Sequence, residues 1–112
     1  MPYVPNDSPN DLMRRVQAGD VVAFEQIVHR YRNMVHGLAM SIVGSPEDAE
    51  EASQDAFLKL YRARERFDVD RGLEPWLLRI AGNSSRDVLR RRKAARAVRG
   101  TEDPDLLGLV AD

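Results

Sequence analysis

The 112-residue sequence has no cysteine and only two histidines. Without thiols there are no disulfides, thiolate metal sites, iron–sulfur clusters or thiol nucleophiles. His29 and His36 stand seven residues apart, two turns along one helical face. That is too far for one metal ion, for which i, i+4 is the useful spacing. Ser84-Ser85 lacks the Gly-x-Ser-x-Gly surroundings of an exposed nucleophile. Aromatics make up 6%, with a single tryptophan, Trp76. No apolar run approaches the roughly 18 residues of a membrane span. The stretch Met1 to Asp7 lacks the basic and apolar parts of a signal peptide. A reducing cytoplasm is the expected compartment. Strand alternation, internal repeats and low-complexity tracts are missing too. The residues therefore point to a binding protein with no cofactor or metal, and not to an enzyme.

What is present is helical punctuation. Ser8 and Pro9 open a first helix running to Ala18, with Leu12, Met13 and Val16 on its apolar side. Asp20 caps a second of about six turns, whose ladder is Phe24, Ile27, Val28, Tyr31, Met34, Val35, Leu38, Ala39 and Ile42. Gly44 closes it. Ser45-Pro46-Glu47-Asp48 starts a third, buried through Ala49, Ala52, Ala56, Phe57 and Leu60. After a loop over 67–73, a fourth helix begins near Glu74-Pro75 and runs to about Val98. Trp76, Leu77, Ile80, Ala81, Ser84 and Val88 form its inner side, and Gly82 inside it costs about 1 kcal/mol relative to alanine. The fold expected is all-α, a compact bundle of about four helices over 9–99. A flexible arm precedes it at 1–8. Residues 100–112 read as an acidic linker or a truncated connection.

The net charge of −1 hides an asymmetry. From Arg79 to Arg99 there are eight bases and one acid, Asp87, a local charge of +7 that leaves −8 on the rest. Arg90-Arg91-Arg92-Lys93 fills a whole turn, so the C-terminal half of the last helix cannot be buried on any side. A helix dipole favours bases only in its final turn; this many exceed its reach and point to phosphates. From Glu47 to Asp55 lie five acids and no base. They open a helix, where the dipole stabilises them, and a basic protein partner fits them better than a metal. Trp76 and Phe67 sit near the bases, where core packing accounts for both. Helix propensity does not account for Asn83, beside Gly82 and Ser84-Ser85.

These residues resemble a known family in order and spacing. Asp11 to Asp20, then Ala23-Phe24 and Tyr31, resembles the opening of region 2 in bacterial sigma factors of the extracytoplasmic-function group. Pro46-Glu47-Asp48-Ala49-Glu50-Glu51, followed by Gln54 to Tyr61, resembles its polymerase-binding segment. Phe67-Asp68 with Arg71-Gly72, then Pro75 to Asn83, resembles its promoter-melting and −10-reading segment, and Asp87 to Arg92 its usual ending. Leu73-Glu74-Pro75, Gly82 and Ser84-Ser85 depart from the commoner family residues.

The resemblance implies a transcription initiation domain that joins core RNA polymerase and recognises and helps open the −10 element as single-stranded DNA. Gln54, Asp55, Leu58 and Tyr61 fall where the family meets the β′ clamp coiled coil; Asp48 and Glu51 of the acidic stripe complete the expected polymerase-binding set. Asn83 and the loop residues Phe67, Asp68, Arg71 and Gly72 fall where a flipped base of the non-template strand is held. The basic residues after Asn83 (Arg86, Arg90, Arg91, Arg92 and Lys93) are expected along the DNA backbone, with Arg79 among the DNA-binding residues. An anti-sigma factor is a further implied partner. Residues 100–112 would then lead toward the family's second, helix-turn-helix domain, absent from this sequence. Two other readings stand beside this one: a helical regulator whose basic helix binds an acidic protein, and a general duplex-binding module.

Overall fold

In a computed structural model, residues 7–100 are described, with side-chain surroundings through Val98. Four α-helices form: α1 (Pro9–Gln17), α2 (Val21–Val43), α3 (Pro46–Arg62) and α4 (Leu73–Gly100). Two short 3₁₀ turns, Arg64–Arg66 and Val69–Arg71, link α3 to α4. There is no strand among the described residues. The helix starts follow the caps. Ser8 Oγ accepts from the Asp11 amide at 3.1 Å, Asp20 from Ala23 at 3.1 Å, and Ser45 from Asp48 at 3.5 Å. The Ala23 amide, together with Arg15, holds the Asp20 carboxyl below its usual range despite opposing burial. Gly44 ends α2 in the left-handed region at φ 76°, its amide donating to the Met40 carbonyl.

The main core joins Leu12, Met13 and Val16 of α1 to Ile27, Tyr31 and Val35 of α2, Ala56, Phe57 and Leu60 of α3, and Leu73, Leu77 and Ala81 of α4. A second patch unites Ala39, Ala49, Ala52 and Val88. Small residues are buried on both helices: Ala49 and Ala52 of α3, which meet Val88 of α4, and Ser53 of α3 with Ser84 and Ser85 of α4. Ser53 and Ser85 satisfy their hydroxyls on the carbonyls four residues back, both at 2.8 Å. Cross-links between Lys59 and Asp87, Asp55 and Arg91, and Asp48 and Arg92 show that α4 runs antiparallel to α3.

The boundaries shift from expectation in three places. α4 begins at Leu73, whose buried side chain makes the loop exit part of the core. The basic residues Arg64 and Arg66, expected from the sequence to crowd the C-terminal end of the third helix, lie beyond the end of α3 in a 3₁₀ turn. Asp7, placed in the arm, belongs to the fold: its carboxylate accepts from Arg15 at 2.6 Å and its carbonyl from Arg30 at 2.8 Å. The rest of the arm through Asn6, and the linker from Thr101 on, lie outside the described residues.

Candidate functional site

The loop between α3 and α4 is held from beneath by α1. Gln17 Nε2 donates to the carbonyls of Arg64 at 2.9 Å and Phe67 at 3.4 Å, and Asn10 Nδ2 to that of Val69 at 3.3 Å. Phe67 is 6% exposed and packs on Trp76, ring centroids 5.5 Å apart. Its ring, expected among the DNA-contacting residues, is buried and supports the loop, as core packing of an aromatic explains. Asp68 accepts from the Asp70 amide at 2.9 Å and pairs with Arg71 at 3.6 Å. Gly72 takes φ 81°, a region closed to most side chains, and turns the chain into α4. Tyr31 fixes the start of α4 by donating to Glu74 at 3.1 Å. Burial, then the Glu74 carboxylate, pushes the Tyr31 hydroxyl up to about 12.

These supports shape a cleft of about 410 Å³ lined by Arg66, Asp68, Arg71, Pro75, Trp76 and Arg79. It offers three guanidinium groups, one carboxylate and a half-buried indole. Cations of this kind suit phosphates, and an indole edge suits a planar base. At about 100° per residue, the helical face that continues from the cleft carries Trp76, Arg79, Asn83, Arg86, Arg90 and Lys93. All but Trp76 are exposed. Asn83 Oδ1 accepts from Arg86 Nη2 at 2.7 Å.

The basic turn itself is divided. Arg90 and Lys93 lie on the outward face, Arg90 pairing with Asp87 one turn back. Lys59, then Arg90, holds the Asp87 carboxyl below its usual range. Arg91 and Arg92 flank the seam and reach across to α3. Arg91 pairs with Glu51 at 3.0 Å and Asp55 at 3.4 Å, Arg92 with Asp48 at 2.8 Å and Glu51 at 2.7 Å. Asp48, then Glu51, raises the Arg92 guanidinium further above its already high range. Two expectations are corrected together. Arg91 and Arg92 do not stand on the outward face with Arg90 and Lys93, and Asp48, Glu51 and Asp55 do not present an unpartnered acidic face. The antiparallel seam brings the basic pole and the acidic stripe onto each other.

The remaining polymerase-set residues occupy the other side of α3. Gln54 is exposed and bonds to Glu50 at 3.0 Å; Leu58 is 50% exposed, unusual for leucine. Tyr61 meets Phe24 edge-on at 5.0 Å and carries the Arg64 guanidinium 4.3 Å above its ring. A groove of about 390 Å³ runs between this face and α2, where Phe24, Val28 and Arg32 line it with Gln54, Phe57 and Leu58. Sequence reasoning missed the α2 wall. Its signal is the width of the α2 ladder: Phe24 and Val28 are only half-buried, flanking the fully buried Ile27. No cluster of three metal-ligating side chains occurs among the described residues, and no helix among them is long and apolar enough to cross a membrane.

A helical domain with a cationic cleft where the loop enters α4 and an exposed leucine groove between α2 and α3 defines a class: a helical module with two chemically distinct faces, one suited to anions and planar rings and one to apolar groups. The family described as Sigma-70 region 2 matches residues 27–95. The chain is 34% identical over 99 residues to the RNA polymerase sigma-H factor of Pseudomonas aeruginosa, covering 88% of this chain and 48% of that protein. It is 41% identical over 78 residues to the ECF RNA polymerase sigma-E factor of Escherichia coli K12, covering 70% and 40%. An engineered region 2 of sigmaE, solved by NMR in complex with GTAAAA, superposes with a TM-score of 0.73 at 36% identity, covering 87% of this chain and 97% of that one. CnrH, solved in complex with the cytosolic domain of CnrY, gives 0.69 at 34% identity, covering 81% and 59%. The chain belongs to the Sigma-70 region 2 family, in its extracytoplasmic-function branch. It spans about half the length of the curated relatives it matches.

Proposed function

We propose that this domain joins core RNA polymerase and holds the non-template strand of a promoter −10 element as single-stranded DNA, helping to open it. The observation that carries the reading is the continuity of the cleft with the outward row Arg79, Asn83, Arg86, Arg90 and Lys93. One end can enclose an unstacked base while Arg79, Arg90 and Lys93 follow phosphates. The relative bound to GTAAAA supports it, since its fold and over a third of its residues are shared here. Polymerase docking belongs to Gln54, Leu58 and Tyr61 with the α2 wall, directed at the β′ clamp coiled coil. The complex of CnrH with the cytosolic domain of CnrY supports a further protein partner, which we read as an anti-sigma factor. The work is binding and not catalysis, in the cytoplasm beside the polymerase.

The test is reconstitution with core polymerase and a panel of −10 non-template strands. Binding should require single-stranded DNA and fall steeply with salt. Asn83→Ala should cost about 1–3 kcal/mol against the preferred base at one position and much less against the others. Equal affinity for duplex and single strand, or equal losses on all four bases, refutes the reading.

A further inference from the structure

Asn83 sits on an exposed helix face, where its amide is free in principle to turn either end outward. A reader of base edges cannot discriminate in that state, because the carbonyl and the amino end ask for opposite groups. Arg86, one turn on, removes the ambiguity. Its guanidinium carries five donors and no acceptor, so only the Asn83 carbonyl can face it. The bond is short, 2.7 Å, as a charge-assisted one should be.

The guanidinium needs somewhere to lie. A Cβ built on Gly82 would stand 3.3 Å from both Nη1 and Nη2 of Arg86 and 3.6 Å from Cζ, so the arginine head lies folded over the glycine backbone. Gly82 is buried although its helix face is otherwise exposed. Glycine in a helix interior is unfavourable without such a reason.

We propose that Arg86 is a positioning residue: lodged over Gly82, it locks the Asn83 carbonyl inward and presents the Asn83 amino group to an acceptor on the unstacked base. This rests on the base-reading role given to Asn83 above. It separates Arg86 from Arg90 and Lys93, which follow phosphates. The glycine is then a specificity feature of this helix.

The experiment measures affinities of the reconstituted domain–polymerase complex for four strands differing only at the selected position, at several salt concentrations. Arg86→Ala should reduce the selectivity ratio about tenfold, as Asn83→Ala does. The double variant should lose no more than either single one, because both act through one amide. Gly82→Ala should raise the melting temperature by several degrees, as alanine in a helix does, and still lose part of the selectivity, because the guanidinium must give by a few tenths of an ångström and its bond to Asn83 with it. A merely structural role would never join a more stable helix to poorer discrimination. If Arg86→Ala weakens all four strands alike and lowers the salt slope by about 0.7, Arg86 binds a phosphate and the proposal falls. If Gly82→Ala keeps full selectivity, the seat is wrong. If Asn83→Ala itself leaves selectivity intact, the base-reading role has failed and takes this inference with it.

Discussion

Two pairs of bases that alternate in one helical turn should behave oppositely. Arg90→Ala with Lys93→Ala, and Arg91→Ala with Arg92→Ala, each remove two positive charges. Only the first pair faces outward; the second is engaged by Asp48, Glu51 and Asp55. For single strands the slope of log affinity against log salt falls by about 0.7 for each phosphate that is no longer neutralised. If Arg90 and Lys93 each meet one phosphate, their removal lowers the slope by about 1.4. A fourfold rise in salt, raised to that power, then narrows the gap between variant and wild type about sevenfold. The Arg91–Arg92 variant should keep the wild-type slope. It should instead lower stability, because it strips the Arg91 and Arg92 cross-links between α3 and α4 and leaves only Lys59–Asp87 among the described residues. These ion pairs are partly exposed and therefore screened by salt. The wild-type melting temperature should drop as salt is added, and the variant should lose that dependence. Fluorescence anisotropy with a labelled −10 strand and thermal melts at matched salt provide both readouts. An equal fall in slope for the two variants would show that total charge governs binding and that sidedness does not.

Leu58→Asp should abolish capture of core polymerase while thermal stability stays within about 0.5 kcal/mol, since an exposed side chain contributes little to the fold; undiminished pull-down would remove the α2–α3 groove from the docking face. Gln17→Ala frees two loop carbonyls and should lower stability by about 1–2 kcal/mol in denaturant titrations. An unchanged midpoint would mean that Phe67 packing alone holds the loop. Tyr31 keeps its proton to about 12 in the folded state, against an ordinary value of 10 in the unfolded chain. The stability it contributes is intact below the lower value and is lost as pH rises through the higher one. Tyr31→Phe should show a shallower alkaline loss of stability over that window, and parallel curves for the two proteins would contradict it.

The helices were legible because their signals are local. Ser8, Asp20 and Ser45 cap within three residues, Gly44 stops α2 where the ladder ends, and the ladder's inner positions Ile27, Tyr31, Val35 and Ala39 are the buried ones. The resemblance pointed to the loop and Asn83 as the base-holding site. Sidedness was not legible. Whether Arg91 or Arg90 turns toward α3 depends on the register of α4 against α3. Residues thirty or more positions apart set that register through Ala49, Ala52 and Val88. The same blindness gave Gln54 and Asp55 one role, although adjacent helical residues point about 100° apart. Gly82 could be read as a cost but not as a seat for Arg86, because the glycine's benefit appears only once a side chain lies on it.

The interleaving of two faces in α4 has a consequence for how this helix tolerates change. Substitutions at Arg90 and Lys93 can vary without disturbing Arg91 and Arg92, so the outward surface and the internal cross-links are separately adjustable. A change in length is a different matter. One residue inserted between Arg86 and Arg90 turns everything beyond it by about 100°. Arg90 would swing against α3 and Arg92 out to solvent, exchanging the occupants of both faces at a stroke. The helix behaves as a text read in frame: individual letters are open to revision, and its spacing is not.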